Sequence, residues 1–76
     1  MDIRKRPLQN VKQLKKLGNK IRKIRMEKGM SQEMVAHEAG IERSYMGAIE
    51  RGERNPSYDK FLSIAKAIKV KPSELL

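Results

Sequence analysis

The chain has 76 residues and is read as one domain. At that size folding buries only about 60% of the surface the unfolded chain exposes, so the core must be compact. The absence of cysteine excludes disulfides, thiolate metal ligands and a thiol nucleophile, and suits a reducing cytoplasm. No apolar run approaches the ~20 residues of a membrane span, and the first residues lack the apolar core of a signal peptide. The formal net charge of +9 is carried entirely by residues 1–28, where eleven Lys and Arg face only Asp2 and Glu27; the remaining 48 residues balance seven cations against seven acids. Charge of this kind points to a polyanionic partner, whether DNA, RNA or anionic lipid, without choosing among them. With Phe61, Tyr45, Tyr58 and no tryptophan, there is little aromatic surface on which single-stranded bases can stack.

Residues 1–10, MDIRKRPLQN, have a basic cluster, a proline and no helical period, and read as a flexible arm ahead of a domain over 11–76. From Val11 to Lys28, Leu14, Leu17, Ile21 and Ile24 recur at spacings of three and four, one apolar stripe on a helix. Lys12, Lys15, Lys16, Lys20 and Lys23 occupy the rest of its circumference, as a solvated face or in part over phosphate. Gly29 stops this helix. Ser31 is placed to cap a second, short helix with Val35, Ala36 and Ala39 inward, ending at Gly40.

After only Gly40, Ile41 and Glu42 a third helix runs to Arg51, closed by Gly52. Two short helices joined by a tight glycine turn form a helix-turn-helix unit. At 100° per residue, Tyr45, Met46 and Ile49 share one side of the third helix with Glu42, and Arg43, Ser44, Gly47, Ala48 and Arg51 share the other. That outer face is small in the middle and cationic at its ends. It can enter a major groove, where arginine pairs with guanine O6 and N7 and serine with several base edges. Gly47 has two readings, close approach to DNA or a tolerated surface glycine. Tyr45 either packs or turns its hydroxyl to a phosphate. Ser57 caps a fourth helix, Tyr58 to Ile68, with Phe61, Ile64, Ala65 and Ile68 inward, and Pro72 can begin a fifth through Leu75 and Leu76. The expected fold is all-α, five short helices around one core. Met30, Met34 and Met46 are expected to pack in it.

From Leu17 to Leu76 the sequence resembles the Cro/phage-repressor helix-turn-helix family, also called the XRE family. The resemblance rests on LGNKIRKIRMEKGMSQEMVAHEAGIERSYMGAIERGERNPS and FLSIAKAIKVKPSELL, with IRxxR, G-x-S-Q, A-x-x-x-G, I-E-R-G-x-R-N-P-S and I-A-K-A-I in order. It implies a lambda-repressor-like five-helix domain, usually a dimer on a near-palindromic operator, with the third helix in the major groove. It also implies base contacts from Arg43, Ser44 and Ala48, to which Gly47 is added from the helix face. Phosphate contacts are implied for Gln32, Arg54 and Asn55, and expected also of Tyr45 and Arg51. Arg25 and Glu50 match a family ion pair. The run ERSY-x-x-x-IERG-x-RNPS is also similar to restriction–modification controller proteins. Arg4, Lys5 and Arg6 resemble the basic arm of lambda repressor; a simple tail is the other reading.

No enzyme signature is present: one histidine, no glycine-rich phosphate cradle, and no acid pair in an apolar setting. His37 has no second ligand at metal spacing, so neither a metal nor a cofactor is expected. The expectation is thus a sequence-specific transcriptional regulator of double-stranded DNA, repressor or controller, without a small-molecule ligand. A homodimer is expected through the end of the fourth helix with Leu75 and Leu76. The rival readings are an antitoxin or co-regulator acting mainly on a protein partner, and a non-specific nucleic-acid binder.

Overall fold

A computed structural model describes residues 10–76, so the expectations for Arg4, Lys5 and Arg6 lie outside the described residues. The first helix, α1 (Val11–Glu27), starts where the Asn10 side chain accepts a 2.8 Å bond from the Gln13 amide. Asn10, counted with the arm from sequence, is thus the cap of α1. Leu17 and Ile21 of the stripe are buried, while Leu14 and Ile24 toward its ends are half-buried. Helix α2 (Gln32–Ala39) is capped by Ser31, whose hydroxyl accepts from the Met34 amide at 3.0 Å, and is closed by Gly40.

Three residues later α3 (Arg43–Glu50) begins, where the sequence pattern starts it, and it ends one residue earlier, with Arg51 as its C-cap. Glu42 stands at its N-cap without a side-chain capping bond and is exposed, not on the inward side. Helix α4 (Tyr58–Ala67) starts at Ser57, whose hydroxyl accepts from the Lys60 amide at 3.3 Å; it buries Phe61, Ile64 and Ala65, with Ile68 at its C-cap.

The described residues hold four α-helices, not the expected five. The last segment, Pro72–Leu75, is a single 3-10 turn. Pro72 supplies no amide hydrogen, and the chain closes by the tighter i→i+3 pattern, Glu74 N to Lys71 O at 2.9 Å. The Glu74 carboxylate accepts in return from the Lys71 amide at 2.7 Å. This turn drops Leu75 onto α1 and α4, where it is 3% exposed. Leu75 therefore belongs to the core and is not free for the dimer surface expected of it; Leu76, 63% exposed, is. Met46 also packs in the core and Met30 against it, whereas Met34 is exposed, contrary to expectation.

In tertiary terms α2 lies mainly on α4, and α1 on α3, with α2 and α3 touching through the turn. Two glycines make the α1–α3 approach so close. A Cβ added at Gly18 would run into the Glu50 carbonyl oxygen and lie 2.5 Å from that of Ile49. Gly52, at φ 75°, both turns the chain out of α3 in the left-handed region and leaves no room for a Cβ, which would lie 2.8 Å from the Lys15 Cα. α1 is thereby pressed directly on the last turn of α3, which fixes where the rest of α3 points.

Candidate nucleic-acid interface

The outer side of α3 is held in place from behind by buried charge. Arg25, on α1, and Glu50, on α3, are 9% and 5% exposed. Two parallel bonds join them, Nε to Oε2 at 2.7 Å and Nη2 to Oε1 at 3.0 Å. This fork-on-fork geometry is the strong, orientation-fixing form of an ion pair. A third bond, Arg25 Nη1 to the Met30 carbonyl at 2.8 Å, ties the same guanidinium to the turn before α2. Gln32, the first residue of α2, donates its Nε2 to Glu50 Oε1 at 3.0 Å. One carboxylate thus links α1, α2 and α3.

In front of that network the residues expected to meet bases divide. Arg43 and Ser44 are exposed at the start of α3, and Ala48 is half-buried in its second turn. Gly47 is buried, although its helical angle places it on the outer arc. It is covered by side chains: where its Cβ would be, Arg51 Nη1 lies 3.2 Å away and Gln32 Oε1 3.5 Å. Arg51, at the C-cap of α3, is in turn bound through Nε to Glu53 Oε1 at 3.0 Å, an exposed pair. Tyr45 is half-buried against the core, with the Arg54 guanidinium 5.6 Å from the centre of its ring. That is cation–π distance, and it holds Arg54 beside α3. Asn55, half-buried, stands in the loop just before the buried Pro56.

A helix-turn-helix family profile matches residues 21–75, which contain α2, the turn and α3. The chain belongs to the helix-turn-helix family. That family is one of DNA-binding transcriptional regulators. Among relatives, the control protein C.BamHI of Bacillus amyloliquefaciens is 48% identical over 60 residues, covering 78% of this chain and 74% of that protein. The crystal structure of the restriction–modification controller protein C.AhdI from Aeromonas hydrophila superposes with a TM-score of 0.81 at 44% identity, covering 83% of this chain and 96% of the other. The controller protein C.Esp1396I, solved as a tetramer in complex with its natural 35 base-pair operator, superposes with a TM-score of 0.76 at 36% identity, covering 83% of each chain.

Within this helix-turn-helix protein several interactions were not legible in the sequence. The Gln32–Glu50 bond joins two residues assigned to different tasks, and Gly18 carried no signal beyond its type. Lys28, just past α1, donates its ammonium to the carbonyls of Ile68 at 2.6 Å and Lys69 at 3.1 Å, closing the free end of α4. A concavity of about 700 Å³ lies between α2 and α4 and includes Met30, Met34, His37 and Lys66, away from α3. No helix among the described residues is long and apolar enough to cross a membrane, and no cluster of three His, Cys, Asp or Glu there can hold a metal ion.

Proposed function

We propose that this protein is a sequence-specific controller or repressor of transcription that lays α3 in the major groove of double-stranded DNA. The observation that carries this reading is the Arg25–Glu50–Gln32 network. It sets the first residue of α2 and the outer arc of α3 as one rigid surface, with Arg43 and Ser44 exposed at its leading end. Arg43 is suited to the O6 and N7 of a guanine, Ser44 to a neighbouring base edge, and the Ala48 methyl to a thymine methyl group. Gln32, Tyr45, Arg51, Arg54 and Asn55 frame these positions and are suited to phosphate oxygens, which fix register without reading sequence. The excess charge of residues 1–28 adds long-range attraction to the duplex.

The assembly we propose is a homodimer on a near-palindrome, its half-sites about one helical turn apart. The end of α4 and the exposed Leu76 supply the contact, with Leu75 supporting them from the core. The operator-bound tetramer of C.Esp1396I favours an oligomer of this kind. The domain is residues 11–76, capped by Asn10, and the residues ahead of it add net positive charge.

In vitro selection from random duplex DNA at near-physiological salt tests the reading. A near-palindromic motif enriched by the native protein and abolished by Arg43→Ala is the expected result. Binding without enrichment would overturn sequence-specific control and leave a non-specific binder or a partner-directed module.

A further inference from the structure

Each of the three glycines at close quarters has a different reason for being glycine. At Gly18 the backbone of α3 leaves no room, and at Gly52 the backbone is left-handed. Gly47 has neither reason. It lies inside α3 with helical geometry, and no backbone atom approaches the place where its Cβ would be. What approaches is the ends of two side chains, Arg51 Nη1 at 3.2 Å and Gln32 Oε1 and Nε2 at 3.5 and 3.9 Å. Glycine in a helix costs stability relative to alanine, so the space it leaves is the feature to explain.

Both side chains are braced from behind. Glu50 takes one N–H of the Gln32 amide, and Glu53 takes the Nε–H of Arg51. What remains forward is the Gln32 amide, through its second N–H and its carbonyl Oε1, and the terminal N–H groups of Arg51: donors from both side chains, one of them charged, beside a single acceptor oxygen. A set of donors carrying positive charge suits a tetrahedral anion, and arginine embraces phosphate oxygens with two parallel bonds.

We infer that Gly47 is a positioning residue: by lacking a side chain it lets Gln32 and Arg51 close over α3 as a two-armed clamp on a single backbone phosphate. This rests on the DNA-binding reading above and replaces the base contact assigned to Gly47 from sequence. The two arms come from different helices, so the clamp also reports whether α2 and α3 hold their relative position. Any side chain at position 47 pushes the arms apart and lifts the phosphate off the helix.

The test uses the DNA site enriched by the native protein, with Gly47→Ala and Gly47→Leu. Affinity is measured across a salt series and against every single base-pair variant of the site, and thermal melting is followed in parallel. Gly47→Leu is expected to weaken binding roughly tenfold to all sequence variants alike. It should lower the log–log salt slope by about 0.9, the increment for one neutralised phosphate. Base preferences and melting temperature should stay as in the native protein. Gly47→Ala, whose methyl needs only a small retreat of a flexible arginine, should fall between the two in affinity and melt no lower. In a Gln32→Ala, Arg51→Ala background, Gly47→Leu should have no further effect.

A changed preference at one base pair with an unchanged salt slope would overturn the inference and return Gly47 to base reading. So would a full additional loss of affinity in the double-alanine background. If Gly47→Leu fails to fold, an affinity of Gly47→Ala equal to that of the native protein overturns it equally. A native protein that enriches no site at all would instead fail the DNA-binding reading itself, so the two failures are distinguishable.

Discussion

Removing the Glu50 carboxylate should cost this protein far more stability than removing any charge on the outer face of α3. In Glu50→Ala the Arg25 guanidinium, 9% exposed, loses both carboxylate bonds and keeps only the Met30 carbonyl. Breaking a buried pair from one side leaves an uncompensated charge and costs about 3–5 kcal/mol. A 76-residue domain at 0.05–0.15 kcal/mol per residue has about 4–11 kcal/mol in total. Its unfolding entropy, about 160 cal/mol/K at the usual value per residue, converts the loss into a fall in melting temperature of about 20–30 °C. Arg43→Ala, at an exposed position, should stay within about 0.5 kcal/mol, or ~3 °C. Thermal unfolding followed by circular dichroism compares the two variants directly. The double variant Arg25→Met, Glu50→Leu should recover most of the loss, since apolar groups of similar volume carry no desolvation penalty. Melting temperatures for Glu50→Ala and Arg43→Ala within a few degrees of each other would refute the argument.

Gly18→Ala should destabilise by about 1–3 kcal/mol, because the added methyl meets the Glu50 and Ile49 carbonyls and α1 must back away; a melting temperature at or above the native one would contradict this. Lys28→Met removes two charge-assisted bonds to the end of α4 from a partly solvated site and should cost about 1 kcal/mol, read by urea denaturation. Lys69, in the left-handed region at φ 61°, follows the end of α4 where glycine is usual, so Lys69→Gly should raise stability by up to about 1 kcal/mol in the same assay. Deleting residues 1–7 removes Arg4, Lys5 and Arg6 and should lower the salt slope of DNA binding by about 0.9 for each phosphate these side chains neutralise. An unchanged slope after that deletion would show that the segment does not touch the duplex.

The four α-helices and the Ser31 and Ser57 caps were legible in the sequence because the signals for them are local, whereas the Asn10 cap was counted with the arm. Ser31 and Ser57 each bond the amide three residues ahead, and the inward residues of α2 and α4 follow from helical spacing alone. The Arg25–Glu50 pair was legible only through family resemblance, since nothing local relates residues 25 positions apart. The fifth helix was misread because the pattern Pro-Ser-Glu-Leu starts a helix and a 3-10 turn equally well, and packing of Leu75 on α1 and α4 chose the tighter turn.

By itself, then, the sequence determined the order and faces of the helices, the turn between α2 and α3, and the concentration of charge in the first 28 residues. Each of these depends on spacing along the chain. Tertiary structure decided which outward positions are in fact open. Gly47 lies on the outer arc by its angle and is closed off by Gln32 from another helix and by Arg51 from the next turn. Leu75 has the composition of an interface residue and is consumed by the core. A helical angle states only the direction in which a residue points; what fills the space in that direction comes from parts of the chain that spacing cannot relate.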